Sequence, residues 1–120
     1  MAKKTTTFAA IDLGSYETGM KIYEFRRDGQ IRELDHVRHR IDLGTETYRH
    51  RRISTAHIDE LVRILQGYRQ VMETYGVQDY RAYGTSAMRE TDDIDIVLEL
   101  LRQRTGMTVG ILSNSEQRFL

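Results

Sequence analysis

Apolar and polar positions change period several times along the chain, and each change marks an element. Residues 7–13 form a mostly apolar run, from Thr7 through Phe8, Ala9, Ala10 and Ile11 to Leu13, and predict a buried strand. Residues 18–25 alternate, with Met20 and Ile22 on one face and Lys21 and Tyr23 on the other, which predicts a second strand. Arg27-Asp28-Gly29-Gln30 is a hairpin turn signal, and Ile31 to about Ile41 reads as a third, more polar strand. The three together predict an antiparallel meander.

Residues 54–75 carry the strongest helical pattern. Ile58, Leu61, Val62, Leu65, Tyr68, Met72 and Tyr75 recur at helical spacing. Ser54 suits the N-cap, Ile53 and Ile58 suit the flanking hydrophobic staple, and Gly76 suits the left-handed C-terminal position. Gly67 costs about 1 kcal/mol against Ala inside a helix, which points to a close packing contact there. A strand follows at 79–84, then a helix from about Thr91 to Arg104 with Ile94, Val97, Leu98 and Leu101 on one face. Asp92 and Asp93 in its first turn, Arg102 and Arg104 in its last, and Gly106 beyond it all suit the helix dipole. Thr108 to Leu112 reads as a short final strand, and Ser113-Asn114-Ser115-Glu116 as the start of another helix. Four or five residues do not nucleate a helix usefully, so a fragment of a longer protein is expected.

Composition narrows the classes. A chain of 120 residues holds one domain or less. Eighteen basic and eighteen acidic side chains cancel, which argues against a general nucleic-acid binder and against a membrane-surface protein. The chain has no cysteine, hence no disulfide framework and no thiol chemistry. No signal-peptide pattern follows Met1, and no segment approaches the roughly 20 apolar residues of a membrane span. A cytoplasmic location is the default expectation.

Two junctions between predicted elements carry candidate chemistry. Thr85-Ser86-Ala87-Met88-Arg89-Glu90 lies between the strand at 79–84 and the helix after it, and offers hydroxyls, backbone N–H groups and a guanidinium to an anion. Asp12-Leu13-Gly14-Ser15 closes the first strand. Gly14 lets the backbone turn or approach a ligand, and Asp12 is suited to hold a hydrated cation. Either loop alone reads equally as an ordinary turn, and their joint occurrence is what points to phosphate.

The element order, with its Asp-x-Gly-Ser loop, resembles the first domain of the actin, Hsp70 and sugar-kinase superfamily. The fold class implied is α/β: a ribonuclease-H-like mixed sheet with a three-strand meander and flanking helices, truncated. Within it, the chain is similar to the exopolyphosphatase/guanosine pentaphosphate phosphohydrolase family. Ala10 to Ser15 matches the family's opening phosphate loop, Gly84 to Glu90 is the most specific match, and Thr105-Gly106 with Ile111-Leu112-Ser113 and Glu116 matches a third segment. The resemblance implies that residues 1–120 are the N-terminal portion of the first phosphate-binding domain, without the second domain. It also implies hydrolysis of a terminal phosphoanhydride in polyphosphate or guanosine pentaphosphate, with Mg2+ as cofactor. Gly14, Ser15, Thr85, Ser86 and Arg89 would bind phosphate, Asp12 the metal, and Glu116 would be catalytic. A homo-oligomer is a further possibility.

The chain departs from that family at two places. Where the family usually has Asn-Ser after Gly-Ser, Tyr16 and Glu17 stand here, and a carboxylate near a phosphate pocket opposes anion binding. In the third segment, counting without gaps puts Glu116 on the first Glu of the family's pair and Gln117 on the second, which is thought to be the general base. A neutral amide cannot accept a proton from water. A one-residue gap puts Glu116 at the base and Arg118 on the family's Arg. The ungapped count is preferred because Leu120 then matches too, while Glu116 reads equally as a first-turn helix acid.

His36, Arg38, His39, Arg40, Arg49, His50, Arg51 and Arg52 make a basic stretch that reads first as a solvated strand edge and loop, and second as a guide for a polyanion. Its histidines lack zinc-ligand spacing. Two functions compete: a phosphoanhydride hydrolase, and a member that has lost its base and binds polyphosphate or guanosine polyphosphates as a sensor. A kinase or cytoskeletal ATPase is a third, opposed by the Thr85–Glu90 segment.

Overall fold

The computed structural model describes residues 5–113. Five strands and four helices follow one another along these residues. The first three strands are β1 (Thr5–Leu13), β2 (Glu17–Arg26) and β3 (Ile31–Arg40). Then come α1 (Gly44–His50), α2 (Thr55–Tyr75), β4 (Asp79–Gly84), α3 (Ser86–Arg89), α4 (Ile94–Thr105) and β5 (Gly110–Ile111). The sheet order is β3-β2-β1-β4-β5. The meander pairs antiparallel, whereas β4 lies parallel to β1 and β5 parallel to β4.

Alternation along the strands sorts the two faces of the sheet. Ala9, Ile11, Leu13, Met20, Ile22 and Ala82 point to one side and are buried. They meet Leu61, Leu65 and Tyr68 of α2 and Val97 and Leu101 of α4 in one core. The other face carries Asp12, Lys21, Tyr23, Arg81 and Tyr83 along a groove of about 730 Å³. Tyr68 is the largest fully buried side chain, and its hydroxyl bonds to Thr18 Oγ1 at 3.2 Å and His39 Nδ1 at 3.1 Å. These bonds tie α2 to the meander. Among the described residues, no helix is long and apolar enough to cross a membrane.

The expected caps of α2 are present. Ser54 Oγ accepts from His57 N at 3.2 Å, and Gly76 is left-handed at φ 66°. Three expectations change. Gly67 makes no close packing contact, since a Cβ built there would have nothing within 4 Å. The second long helix begins at Ile94, not Thr91, because the preceding residues are held elsewhere. Thr91 Oγ1 donates to Ala87 O at 3.0 Å, and Asp92 N to Arg51 O at 3.0 Å. Asp92 and Asp93 therefore precede its first turn, whose acid is Asp95. The last strand contracts to Gly110–Ile111. Two short helices, α1 and α3, were not expected. α1 has a local signal: Asp42 Oδ1 accepts from Thr45 N at 2.9 Å, which lowers the Asp42 pKa.

Candidate functional site

The parallel pairing of β1 and β4 brings the two candidate loops together. Leu13 is the register partner of Gly84, so the chain leaves both strands at the same end. Open α/β sheets gather ligands at that end. Thr85 N donates to Leu13 O at 3.2 Å, and Thr85 Oγ1 reaches the same carbonyl at 3.5 Å. Thr85 is 6% exposed. Its hydroxyl thus faces the neighbouring strand, and its contacts link the start of the second loop to the end of β1.

Gly14 turns the first loop. Its N–H donates to Glu17 O at 3.0 Å, and a Cβ would stand 2.7 Å from that oxygen. Ser15 O accepts from Leu43 N at 2.8 Å and Gly44 N at 2.7 Å, which docks the start of α1 on the loop. Tyr16 lies against Gly44, where a Cβ would meet the ring at 2.7 Å.

The side chains then converge. Ser15 Oγ lies 2.9 Å from Tyr48 Oη, and Tyr48 Oη lies 2.5 Å from Ser86 Oγ. One phenol oxygen from α1 spans both loops. Tyr48 was not among the residues singled out from the sequence, because the contacts that give it a role cross 33 and 38 residues.

Arg89 Nη1 donates to Leu112 O at 2.8 Å, which sets the guanidinium beside the end of β5. The neighbouring acids Glu90 and Asp92 are not ion-pair partners of Arg89. Glu90 and Asp92 pair instead with Arg51, at 3.3 and 2.8 Å. Arg51 is left-handed, at φ 56°, and closes α1 against the α3–α4 turn.

Asp12 and Glu17 both line the groove on the open face of the sheet, with Lys21, His36 and Arg38. Partial desolvation by the surrounding sheet, and then the charge of Glu17, push the Asp12 carboxyl above its ordinary range. Arg38 offsets Glu17 only at a distance of 4.0 Å. Among the described residues, no three His, Asp or Glu side chains cluster as a metal cage. Mg2+ needs no such cage, since it is commonly held by one or two carboxylates, with water and substrate phosphates completing the shell. Two like-charged carboxylates at one groove fit that donor set.

Of the expected site residues, Gly14, Ser15, Thr85 and Ser86 come together, with Asp12 two residues before Gly14 near the end of β1 and Arg89 at the far end of α3. Glu116, Gln117 and Arg118 lie outside the described residues. The basic stretch is distributed. His36 and Arg38 line the groove, His39 is tied to Tyr68, and Arg51 to the two acids.

Known proteins share both the sequence pattern and the fold. The chain is 23% identical over 116 residues to a guanosine-5'-triphosphate,3'-diphosphate pyrophosphatase of Vibrio parahaemolyticus, covering 97% of this chain and 23% of that protein. Among solved structures, the Aquifex aeolicus member of the Ppx/GppA family superposes with a TM-score of 0.86 at 24% identity, over 92% of this chain and 36% of that one. An exopolyphosphatase from Cytophaga hutchinsonii superposes with a TM-score of 0.85 at 18% identity, over 92% of this chain and 35% of that one. The chain thus spans about a quarter to a third of the length of these relatives. The model of the Ppx/GppA phosphatase family matches residues 22–118, which is most of the chain. With both loops at the carboxyl ends of β1 and β4, this chain belongs to the Ppx/GppA phosphatase family.

Proposed function

We propose that the chain supplies one wall of a phosphoanhydride hydrolase site for linear polyphosphate or a guanosine polyphosphate. The observation that carries this reading is the convergence of Ser15 and Ser86, from two separate loops, on a single oxygen position. Two hydroxyls that meet at one oxygen position, each with a proton it can donate, suit a phosphoryl oxygen, and hydrogen bonds to a charged acceptor are the stronger kind. Gly14 keeps the first loop close, Thr85 fixes its distance from the second, and Arg89, at the other end of α3 from Ser86, adds a positive charge. Asp12, with Glu17, would hold Mg2+. When bound, the cation supplies charge neutralisation on the phosphate oxygens. A second wall from chain outside residues 1–120 completes the cleft in this proposal.

The general base decides between a hydrolase and a sensor. With Gln117 at the base position, the full-length protein binds phosphate chains and turns them over slowly. General-base catalysis contributes about 10²–10⁴-fold, so Gln117→Glu raises the rate by something approaching that range, while Glu116→Gln matters little. With Glu116 as the base the results reverse: Glu116→Gln abolishes turnover and Gln117→Glu gains nothing. Mg2+-dependent phosphate release from polyphosphate and guanosine pentaphosphate by the full-length variants separates the two. Wild-type turnover that is robust and indifferent to both changes overturns both placements.

A further inference from the structure

We propose that the Tyr48 hydroxyl is an internal placeholder for a phosphoryl oxygen, which holds the two loops at their binding distance and must withdraw for phosphate to enter. The inference rests on the reading of Ser15 and Ser86 as phosphate donors and adds a gate to it. Tyr48 Oη stands 2.9 Å from Ser15 Oγ and 2.5 Å from Ser86 Oγ. An oxygen of the ligand accepting from both serines has to stand within the same distances of the same two atoms. The phenol and the ligand oxygen therefore compete for the same two serine hydroxyls.

Proton counting gives the competition a direction. Three hydroxyls carry three protons. Two of these form the Ser15–Tyr48–Ser86 chain, which leaves one for a ligand. With Tyr48 withdrawn, both serines donate outward. A phosphoryl oxygen is a charged acceptor, so it takes these donors in preference to a neutral phenol. The side chain has somewhere to go: Tyr48 is 49% exposed, and it projects from a helix of only seven residues. Without ligand, the phenol keeps the serines from turning to other partners and keeps the loops in register.

The test compares tripolyphosphate binding by the full-length protein in wild-type, Tyr48→Phe, Tyr48→Ala and Ser15→Ala/Ser86→Ala forms, read by calorimetry at fixed salt. Removing the competing hydroxyl raises affinity by about threefold to tenfold in Tyr48→Phe, and Tyr48→Ala moves the same way. The double serine variant binds more weakly than wild type. Serine-dependent binding with Tyr48→Phe unchanged overturns the placeholder, and weaker binding by that variant makes Tyr48 a ligand donor instead. Wild-type binding that is absent, or indifferent to the serines, overturns the phosphate site itself and the gate with it.

Discussion

Tyr68 shows how much a single residue carries between elements. It is 1% exposed, and its hydroxyl satisfies Thr18, which is fully buried on β2. Tyr68→Phe keeps the ring in the core and leaves the Thr18 hydroxyl without that partner. The expected cost is about 1–3 kcal/mol of folding stability, measured by urea denaturation. A change within error would place that hydroxyl's satisfaction elsewhere. At this scale the sequence was legible where chemistry is local. Ser15 follows β1 and Ser86 opens α3 just after β4, and the sequence offered both as candidate anion donors, the reading that the proposed function takes up. Tyr48 was not, because its spacing carries no motif and its role arises only when β1 and β4 pair. Thr85 was readable as a hydroxyl but not as one turned toward Leu13, since its orientation depends on the neighbouring strand.

Among the elements, α2 was read almost to the residue because its ends are marked by their own side chains. Ser54 caps one end and Gly76 takes the left-handed position at the other. Ser54→Ala is expected to cost about 1 kcal/mol through the loss of its bond to His57 N. Gly67→Ala is expected to do the opposite. With nothing within 4 Å of the added Cβ, the helix gains up to about 1 kcal/mol from reduced backbone freedom in the unfolded chain. Thermal or urea melts of the two variants check both signs, and a destabilised Gly67→Ala would mean that the position is sterically restricted after all. The short helices were illegible for a physical reason. α1 and α3 span seven and four residues, too few to display a hydrophobic period. Each is held by contacts from elsewhere: α1 by Ser15 O at its start and by the Arg51 pairs at its end. The start of α4 was misplaced by the same contacts, which draw Asp92 to Arg51.

For the molecule as a whole, the pattern of the first three strands by itself gave the antiparallel meander, and the mixed sheet was expected from the resemblance that the element order and the Asp12–Ser15 loop carry. The parallel placement of β4 beside β1 is what brings the two loops to the same end of the sheet, the arrangement on which the proposed phosphate site rests. The 120-residue chain by itself is expected to release no phosphate from polyphosphate with Mg2+, because positioning from both sides of the cleft supplies most of the catalysis in phosphoryl transfer. Clear metal-dependent release by the purified chain would refute that division of labour. The central claim, that both loops hold one phosphate group, is tested most directly by following backbone amide resonances of this chain as tripolyphosphate is added. The account predicts that Gly14, Ser15, Ser86 and Arg89 shift together along one binding curve. Shifts confined to the basic edge of β3, or separate curves for the two loops, would contradict it.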